Sequence, residues 1–241
     1  MLQRIIGLAR RAIDDYNMIE DGDKIAIGLS GGKDSIVLLQ SLYYLRKFYP
    51  KKFDILAITI NPGKDTLNTT ELKKMCQNLN IEYIVQDSDI FEIVMDIRKE
   101  KSPCSLCANL RRGMLCSVAT EHGCNKLALG HNKDDVMETL LMSLFLNGNI
   151  HTFAPMSNLT RSNLMLIRPL IYVDEKMIRI TANHNNYPIV KKSCPYDGTT
   201  KREYMKDLIK ELKKDIPKIR ENLMGAITRS DIDGWKKEDK E

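Results

Sequence analysis

The sequence predicts an α/β fold in which a mostly parallel, doubly wound sheet of five strands is covered by helices. Short runs of β-branched and small apolar residues alternate with amphipathic helical patterns along most of the chain. The first of these strands ends in a glycine turn that opens a helix. The 241 residues, 43% of them hydrophobic, suffice for one sizeable α/β domain with helical additions at both ends.

The first strand, residues 24–29, leads into the turn, which we call the glycine loop. Its residues are Ser30, Gly31, Gly32, Lys33, Asp34 and Ser35. Adjacent glycines let backbone N–H groups point into one concavity, and a helix N-terminus behind them favours phosphate. The glycine spacings of Walker A and dinucleotide-binding loops are absent. We therefore expect a phosphate-binding loop of another kind, rather than a corner where small residues serve packing.

Four more strands and the helices between them continue the alternation. The strands are predicted at 53–60, 81–86, 125–130 and 164–168. The helices are predicted at 1–17, at 66–79, from 88 to about 98, from Pro103, after Asp135, after Asp174, and twice after Thr200. This order favours parallel strands with helices on both faces. Residues 151–163 are predicted to be irregular, as a lid, an RNA-contact loop or a plain connection.

Two strand ends are predicted to meet a ligand, because ligands bind at the carboxyl ends of the strands in such a sheet. Backbone groups near Ile60 are candidates for contacting an adenine ring, and Gly130 permits close approach of a ligand. The carboxylates of Asp134, Asp135 and Glu138 follow at the same edge and are candidate Mg²⁺ anchors. Helix capping is the alternative role for the aspartates.

His131, beside Gly130, is a weaker candidate than these carboxylates. A single histidine at the end of a strand is more typical of a structural hydrogen bond than of catalysis.

A C-x-x-C pair, Cys104 and Cys107, lies at the start of the helix that Pro103 opens. Helix-start N–H groups and the nearby Arg111 and Arg112 favour the thiolate form of both cysteines. The pair is compatible with half a zinc site, half an iron–sulfur site or a dithiol redox couple, and the sequence has no second C-x-x-C.

The other four cysteines divide into two groups. Cys194 lies in a basic, turn-rich segment and is a third candidate thiolate. Cys76, Cys116 and Cys124 are single and are expected to be small core residues.

The overall charge is mildly basic, with 37 Lys and Arg against 32 Asp and Glu, a net charge of +5. This balance is compatible with a polyanionic partner but does not require one. The sequence has no run of about 18 apolar residues, and arginines interrupt the apolar positions near its start. We therefore expect no membrane span and no secretory segment, and we expect a cytoplasmic location with reduced cysteines.

The glycine loop resembles the PP-loop of the ATP pyrophosphatase superfamily, whose members bind ATP, release pyrophosphate and adenylate a substrate oxygen. Cys104, Cys107 and Cys194, together with 130–135 and 168–170, extend the resemblance to the tRNA thiolases of the TtcA/TtuA group. The resemblance is closest to the enzymes that form 2-thiocytidine. It implies a PP-loop/HUP-like Rossmann-type domain over 21–195, an N-terminal amphipathic helix over 1–20, and C-terminal helices over 196–241 that end in a polar tail from Trp235.

The resemblance also implies an activity and the residues that perform it. ATP with Mg²⁺ adenylates the C2 oxygen of a tRNA pyrimidine, and sulfur then replaces that oxygen. The implied ATP-binding residues are the glycine loop with Ile60, Gly130 and Asp135, and the implied catalytic residues are Lys33, Arg111 and Asp135. Lys33 offsets charge on pyrophosphate, while Arg111 and Asp135 position the nucleotide or the metal.

The three implied ligands of a [4Fe-4S] cluster are Cys104, Cys107 and Cys194. They leave one iron open to hydrosulfide. The implied partners are tRNA and a sulfur donor, either a cysteine desulfurase or free sulfide, and a homodimer is left open. The alternatives are a 2-thiouridine-forming enzyme, another PP-loop adenylating enzyme without sulfur transfer, and an iron–sulfur or zinc protein with a regulatory nucleotide site.

Overall fold

The fold is described here from a computed structural model, over residues 1–63, 67–98, 103–190 and 201–235. Its described strands are β1 (Asp23–Gly28), β2 (Phe53–Asn61), β3 (Glu82–Asp87), β4 (Lys126–Ala128), β5 (Met156–Leu159) and β6 (Leu164–Ile167). They form one sheet in the order β3-β2-β1-β4-β6-β5. Neighbouring strands run parallel except β5, which pairs with β6 in the antiparallel direction.

Helices cover both faces of this sheet. They are α1 (Leu2–Asp15), α2 (Lys33–Leu45), α3 (Thr70–Asn78), α4 (Ile90–Glu92) with a following π-helical turn (Ile93–Ile97), α5 (Pro103–Glu121), α6 (Lys133–Asn147), α7 (Glu175–His184), α8 (Lys201–Asp215) and α9 (Ile219–Arg229). Side chains alternate along the strands, so that Ile55 and Ala57 of β2 face one apolar cluster and Leu56 and Ile58 face a second. The first cluster includes residues of α1, α2, α3 and α6 to α9, and the second includes residues of α4 and α5.

This architecture confirms the predicted fold class, and each of the five predicted strands is present with shifts of at most two residues at its ends. The prediction was wrong about the stretch 151–163, which contains the edge strand β5. The sequence of β5, Met-Ser-Asn-Leu, is too short and polar to show a strand pattern. It becomes a strand because a tight turn, with Asn163 at φ 52°, returns the chain along β6.

Trp235 does not begin a polar tail, so this expectation was also wrong. Its side chain is fully buried, and its indole N–H donates to the carbonyl oxygen of Phe153 at 2.7 Å. The ring packs edge-on against Tyr16, whose hydroxyl donates to the Trp235 carbonyl oxygen. One aromatic residue before a charged run carries no periodic pattern, and its burial depends on partners more than 80 residues away.

Within the described residues, no helix is both long enough and apolar enough to cross a bilayer.

Candidate active site

The glycine loop connects the end of β1 to the start of α2, and its own side chains hold its shape. Gly31 has φ +76°, and a Cβ there would lie 2.9 Å from the Cβ of Val190. The hydroxyl of Ser35 donates to the Gly32 carbonyl at 2.9 Å and accepts from the Ser30 N–H at 3.1 Å. The loop is therefore preformed, with α2 beginning directly behind it.

Two helices begin at this edge of the sheet, and they differ in capping. At α6, Asn132 accepts from the N–H groups of Asp134 and Asp135, and the carboxylate of Asp135 accepts from the Asn132 N–H at 2.9 Å. At α2 the N-cap is Gly32, and no side chain of the described residues caps the helix. The first N–H groups of α2 are thus available to an anion.

Gly130 lies at the end of β4, against the start of α2. A Cβ there would come within 3.0 to 3.1 Å of backbone atoms of Asp34 and Ser35. From the sequence, this glycine is expected to admit a ligand. The structure gives a different primary reason, because it is the backbone of α2 that approaches Gly130.

A cavity of about 320 Å³ opens beside the glycine loop, and we call it the nucleotide cavity. It brings together residues from five predicted regions: the loop, the end of β2, α5, the end of β4 and the start of α6. The predicted site residues that line it are Ser30, Asp34, Ser35, Ile60, Arg111, Gly130 and Asp135. The sequence therefore identified residues, far apart along the chain, that share one cavity.

Arg111 lines this cavity with a buried donor that has no partner. Its Nε atom is inaccessible to solvent and forms no hydrogen bond within the described part of the chain. A buried donor without a partner is costly unless a ligand satisfies it. A guanidinium group in this position suits a phosphate group.

Asp135 is the most perturbed carboxyl group of the nucleotide cavity. Burial raises the pKa of Asp135 to about 6, although the N–H of Asn132 and the charge of Arg202 act to lower it. Asp34, also in the cavity, accepts from the side-chain amide of Asn132 at 3.0 Å and acts to raise the pKa of Asp135 further. Two carboxylates facing one cavity form an oxygen-rich pair suited to Mg²⁺.

The other two carboxylates predicted as Mg²⁺ anchors point elsewhere. Asp134 binds both terminal nitrogens of Arg220 and accepts from the backbone N–H of Glu175. Glu138 is 5% exposed and lies 3.4 Å from Arg202. Among the described residues, no group of three or more histidine, cysteine, aspartate and glutamate side chains is placed to hold a metal. Asp134 and Glu138 therefore serve ion pairs.

Lys33 belongs to the glycine loop, but its ammonium group is directed to carboxylates. Its Nζ atom lies 2.9 Å from Glu175 and 3.0 Å from Asp34. Burial acts to lower the pKa of Lys33, but these two carboxylates raise it above its ordinary value, so the side chain stays charged. A role on phosphate requires Lys33 to exchange Glu175 for the ligand.

A second cavity, of about 530 Å³, adjoins the first, and we call it the thiol cavity because Cys104 and Cys107 line it. Cys104 is exposed and Cys107 is half-buried. The two cavities share the lining residues Arg111, Leu115, Leu129 and His131. A group bound near the thiols therefore lies next to one bound at the glycine loop.

The thiol cavity is also lined by residues that sequence reasoning did not assign to the site: His131, Phe153, Arg168 and Arg202. His131 stacks on Phe153 with ring centroids 4.4 Å apart, and its Nδ1 accepts from Nε of Arg168 at 3.3 Å. The guanidinium groups of Arg168 and Arg202 lie over the same Phe153 ring. Burial and these arginines lower the pKa of His131 to about 3. His131 is therefore neutral at physiological pH, in agreement with its predicted hydrogen-bonding role.

The structure describes the three cysteines that were expected to be core residues, but not Cys194. Cys76, Cys116 and Cys124 are buried at 0%, 8% and 6% exposure, which confirms them as core residues. Cys194 falls in 191–200, outside the described residues, so its place beside the other two thiols stays a prediction.

The two loop glycines are expected to respond differently to alanine. Gly31→Ala forces a side chain into a left-handed conformation against Val190 and should lower the free energy of unfolding by ~1–3 kcal/mol. Gly32→Ala meets only Ser30 Oγ, at 3.5 Å, and should leave stability within ~0.5 kcal/mol. It should weaken ATP binding, because the methyl group adds bulk at the N-cap of α2, where the free N–H groups are expected to bind phosphate. Chemical unfolding and ATP titration measure the two effects. Gly32→Ala binding ATP as the wild type does would contradict the loop's assignment.

The fold and the glycine loop define a PP-loop protein, and a family model of the PP-loop domain matches residues 8–212, so the chain belongs to that family. It is similar to the protein named tRNA-cytidine(32) 2-sulfurtransferase from Geobacter metallireducens, with 39% identity over 90% of this chain and 86% of the relative. The protein of the same name from Geobacter sulfurreducens is 38% identical over 93% and 89% of the two chains.

A solved structure is also similar, that of the U34-tRNA thiolase NcsA from Methanococcus maripaludis with its [4Fe-4S] cluster. The TM-score is 0.74, at 26% identity, over 91% of this chain and 76% of the other. Together these relatives confirm the resemblance to the tRNA thiolases.

Proposed function

We propose that this protein is an ATP-dependent tRNA sulfurtransferase that forms 2-thiocytidine. The observation that carries the proposal is the shared wall of the two cavities, where Arg111 and His131 separate the glycine loop from the two thiols. Activation by ATP and delivery of sulfur must occur at one carbon atom. The two cavities are adjacent, as this chemistry requires.

The nucleotide cavity is proposed to activate the C2 oxygen of the pyrimidine. The free N–H groups of α2 bind the ATP phosphates, and Asp34 and Asp135 hold Mg²⁺. The pyrimidine oxygen attacks the α-phosphate and becomes adenylated, and pyrophosphate leaves. Arg111, which lines the nucleotide cavity, stabilises the charge that develops on the α-phosphate, and Lys33 turns from Glu175 to the departing pyrophosphate.

The thiol cavity is proposed to present the sulfur. Its two described thiols fit a cluster site, because they lie one helical turn apart at the start of α5, in a cavity that also holds several arginines. Three of the remaining four cysteines are buried in the core, which leaves Cys194 as the third ligand. Cys104, Cys107 and Cys194 would hold a [4Fe-4S] cluster, which would present hydrosulfide from the sulfur donor. The sulfur forms its bond to C2 as the adenylated oxygen leaves with AMP. Arg111 and Arg168 keep the cavity positive for the anionic substrate.

The partners and the location belong to the same proposal. The substrate is tRNA. Its target base must unstack before the C2 atom can enter a cavity and react. Either a cysteine desulfurase or free sulfide supplies the sulfur. The protein works in the cytoplasm, where thiolates stay reduced, and a homodimer is compatible with the proposal.

Nucleoside analysis tests this function. The anaerobically purified protein is incubated with ATP, Mg²⁺, sulfide and unmodified tRNA, and the digested nucleosides are analysed by mass spectrometry. We expect 2-thiocytidine together with stoichiometric AMP and pyrophosphate. The appearance of 2-thiouridine instead would assign the protein to the uridine-specific branch. Pyrophosphate release without a thiolated nucleoside, from protein containing iron and labile sulfide, would contradict sulfur transfer.

A further inference from the structure

A groove lies next to the thiol cavity, along the outer surface of α5. It has a volume of about 940 Å³ and lies between α5 and the β5–β6 turn. Asn109 and Arg112 line both the groove and the thiol cavity, so the two adjoin. From Asn109 to Glu121 the helix runs for ~18 Å, a length that accommodates several nucleotides of one strand.

The chemistry of the groove suits a phosphodiester backbone. Arg112 stands at its inner end and Arg161 on the β5–β6 turn, and neither guanidinium pairs with a carboxylate within the described ranges. Hydroxyl and amide side chains line the groove between them: Ser117, Thr120, Asn158 and Thr160. Glu121 is the acidic side chain among the lining residues. Arginines with interspersed hydroxyl and amide groups form the usual contacts to phosphate and sugar.

Gly113 contributes no side chain to the groove, where it lies on the exposed face of α5. A Cβ at Gly113 would meet nothing within 4 Å. Neither packing nor backbone conformation therefore requires this glycine, although glycine inside a helix costs ~1 kcal/mol relative to alanine. A partner backbone can approach the helix closely at this point.

We propose that this groove binds the backbone of the tRNA strand that flanks the target nucleotide, while the target base enters the thiol cavity. The proposal rests on the proposed function for the identity of the RNA. It assigns β5, the strand that the sequence did not reveal, to one wall of the RNA site. Phosphate contacts of this kind set the register of the strand rather than read its sequence.

Two variants test the groove through tRNA binding, without turnover. Arg161→Gln removes one phosphate contact and should weaken tRNA binding several-fold, with the slope of log K against log salt reduced by ~0.7–0.9. Gly113→Met adds a side chain to the groove and should weaken binding as well. Methionine is a better helix former than glycine, so this variant should also unfold at a higher denaturant concentration, which separates blockage from misfolding.

Matched controls exist on α1, which packs in the apolar cluster on the opposite face of the sheet. Gly7 is likewise exposed, within a helix and clear of neighbours within 4 Å, and Arg4 is an exposed arginine on the same helix. Gly7→Met and Arg4→Gln make the same chemical changes and should bind tRNA as the wild type does. The proposal is overturned if the control variants weaken tRNA binding as much as the groove variants do. It is also overturned if both groove variants keep the wild-type affinity and salt slope.

The outcome also separates this inference from the proposed function. If the wild type thiolates tRNA and the groove variants bind tRNA with wild-type affinity, the assignment of the groove is wrong and the proposed function stands. If the groove variants lose tRNA binding but the wild type forms no thiolated nucleoside, RNA binding stands and sulfur transfer is wrong. Weakened binding of a desulfurase with unchanged tRNA affinity would assign the groove to a protein partner and overturn the proposal.

Discussion

Serine in place of any one of the three candidate ligand cysteines should reduce tRNA thiolation to background while leaving ATP binding intact. The variants are Cys104→Ser, Cys107→Ser and Cys194→Ser. A hydroxyl group is a poor iron ligand, so each variant should also lose iron and acid-labile sulfide. Cys104 and Cys107 line the thiol cavity and not the nucleotide cavity, so the affinity for ATP should not change. Mass spectrometry of nucleosides, metal analysis and ATP titration measure the three quantities.

Cys124→Ala is the matched control for these variants. Cys124 is a buried core cysteine at the end of the α5–β4 connection, outside both cavities. Its replacement should cost ~1 kcal/mol of stability, with cluster content and thiolation retained. A Cys194 variant that thiolates tRNA at the wild-type rate would contradict the cluster assignment, whereas the ATP site would be unaffected.

The parts of the fold that local sequence determines were predictable. β1, the glycine loop and α2 follow each other within 23 residues, and the hydrophobic pattern, the glycines and the helix start all indicate the same structure. The order of strands and helices then predicted that the ends of β1, β2 and β4 meet at one edge. This is why Ser30, Ile60 and Asp135, far apart along the chain, line one cavity.

The remaining parts depend on contacts between distant segments. Phe153 reaches the site because Trp235 donates to its carbonyl and because His131 and Arg168 pack on its ring. None of these residues carries a local signal for the others. Arg202 likewise reaches Asp135 and Glu138 from α8, a helix whose sequence shows only ordinary amphipathic spacing.

The carboxylates at the start of α6 show the limit of prediction most clearly. The sequence offered two roles, Mg²⁺ anchors or helix caps, and the structure separates neighbouring residues into different roles. Asp135 both caps α6 and faces the nucleotide cavity, while Asp134, one residue earlier, binds Arg220 on the other side. Successive helical residues point about 100° apart, so their roles depend on which neighbours each direction meets.

Asp135→Asn should abolish most activity and yet stabilise the fold at neutral pH. The asparagine oxygen can still accept from the Asn132 N–H, but it holds Mg²⁺ and the nucleotide less well, so kcat should fall on the order of 100-fold or more. The pKa of the buried wild-type carboxyl is about 6, above its ordinary 3.8, so its ionisation opposes folding. Removing that ionisation should add up to about 3 kcal/mol to the free energy of unfolding at pH 7.5.

The pH dependence distinguishes this explanation from a general effect of the mutation. Asp135 binds its proton more tightly in the folded wild type than in the unfolded chain. The free energy of unfolding of the wild type therefore decreases as the pH rises from about 4 to 6, and it stays reduced at higher pH. The gain from Asp135→Asn should therefore vanish below about pH 4. Asp134→Asn, the same change one residue away, should instead lose ~1–3 kcal/mol by leaving Arg220 with weaker partners. A loss of stability in Asp135→Asn at pH 7.5 would mean that the hydrogen bond of the carboxylate stabilises the fold by more than its desolvation costs. Helix capping would then be the main role of Asp135.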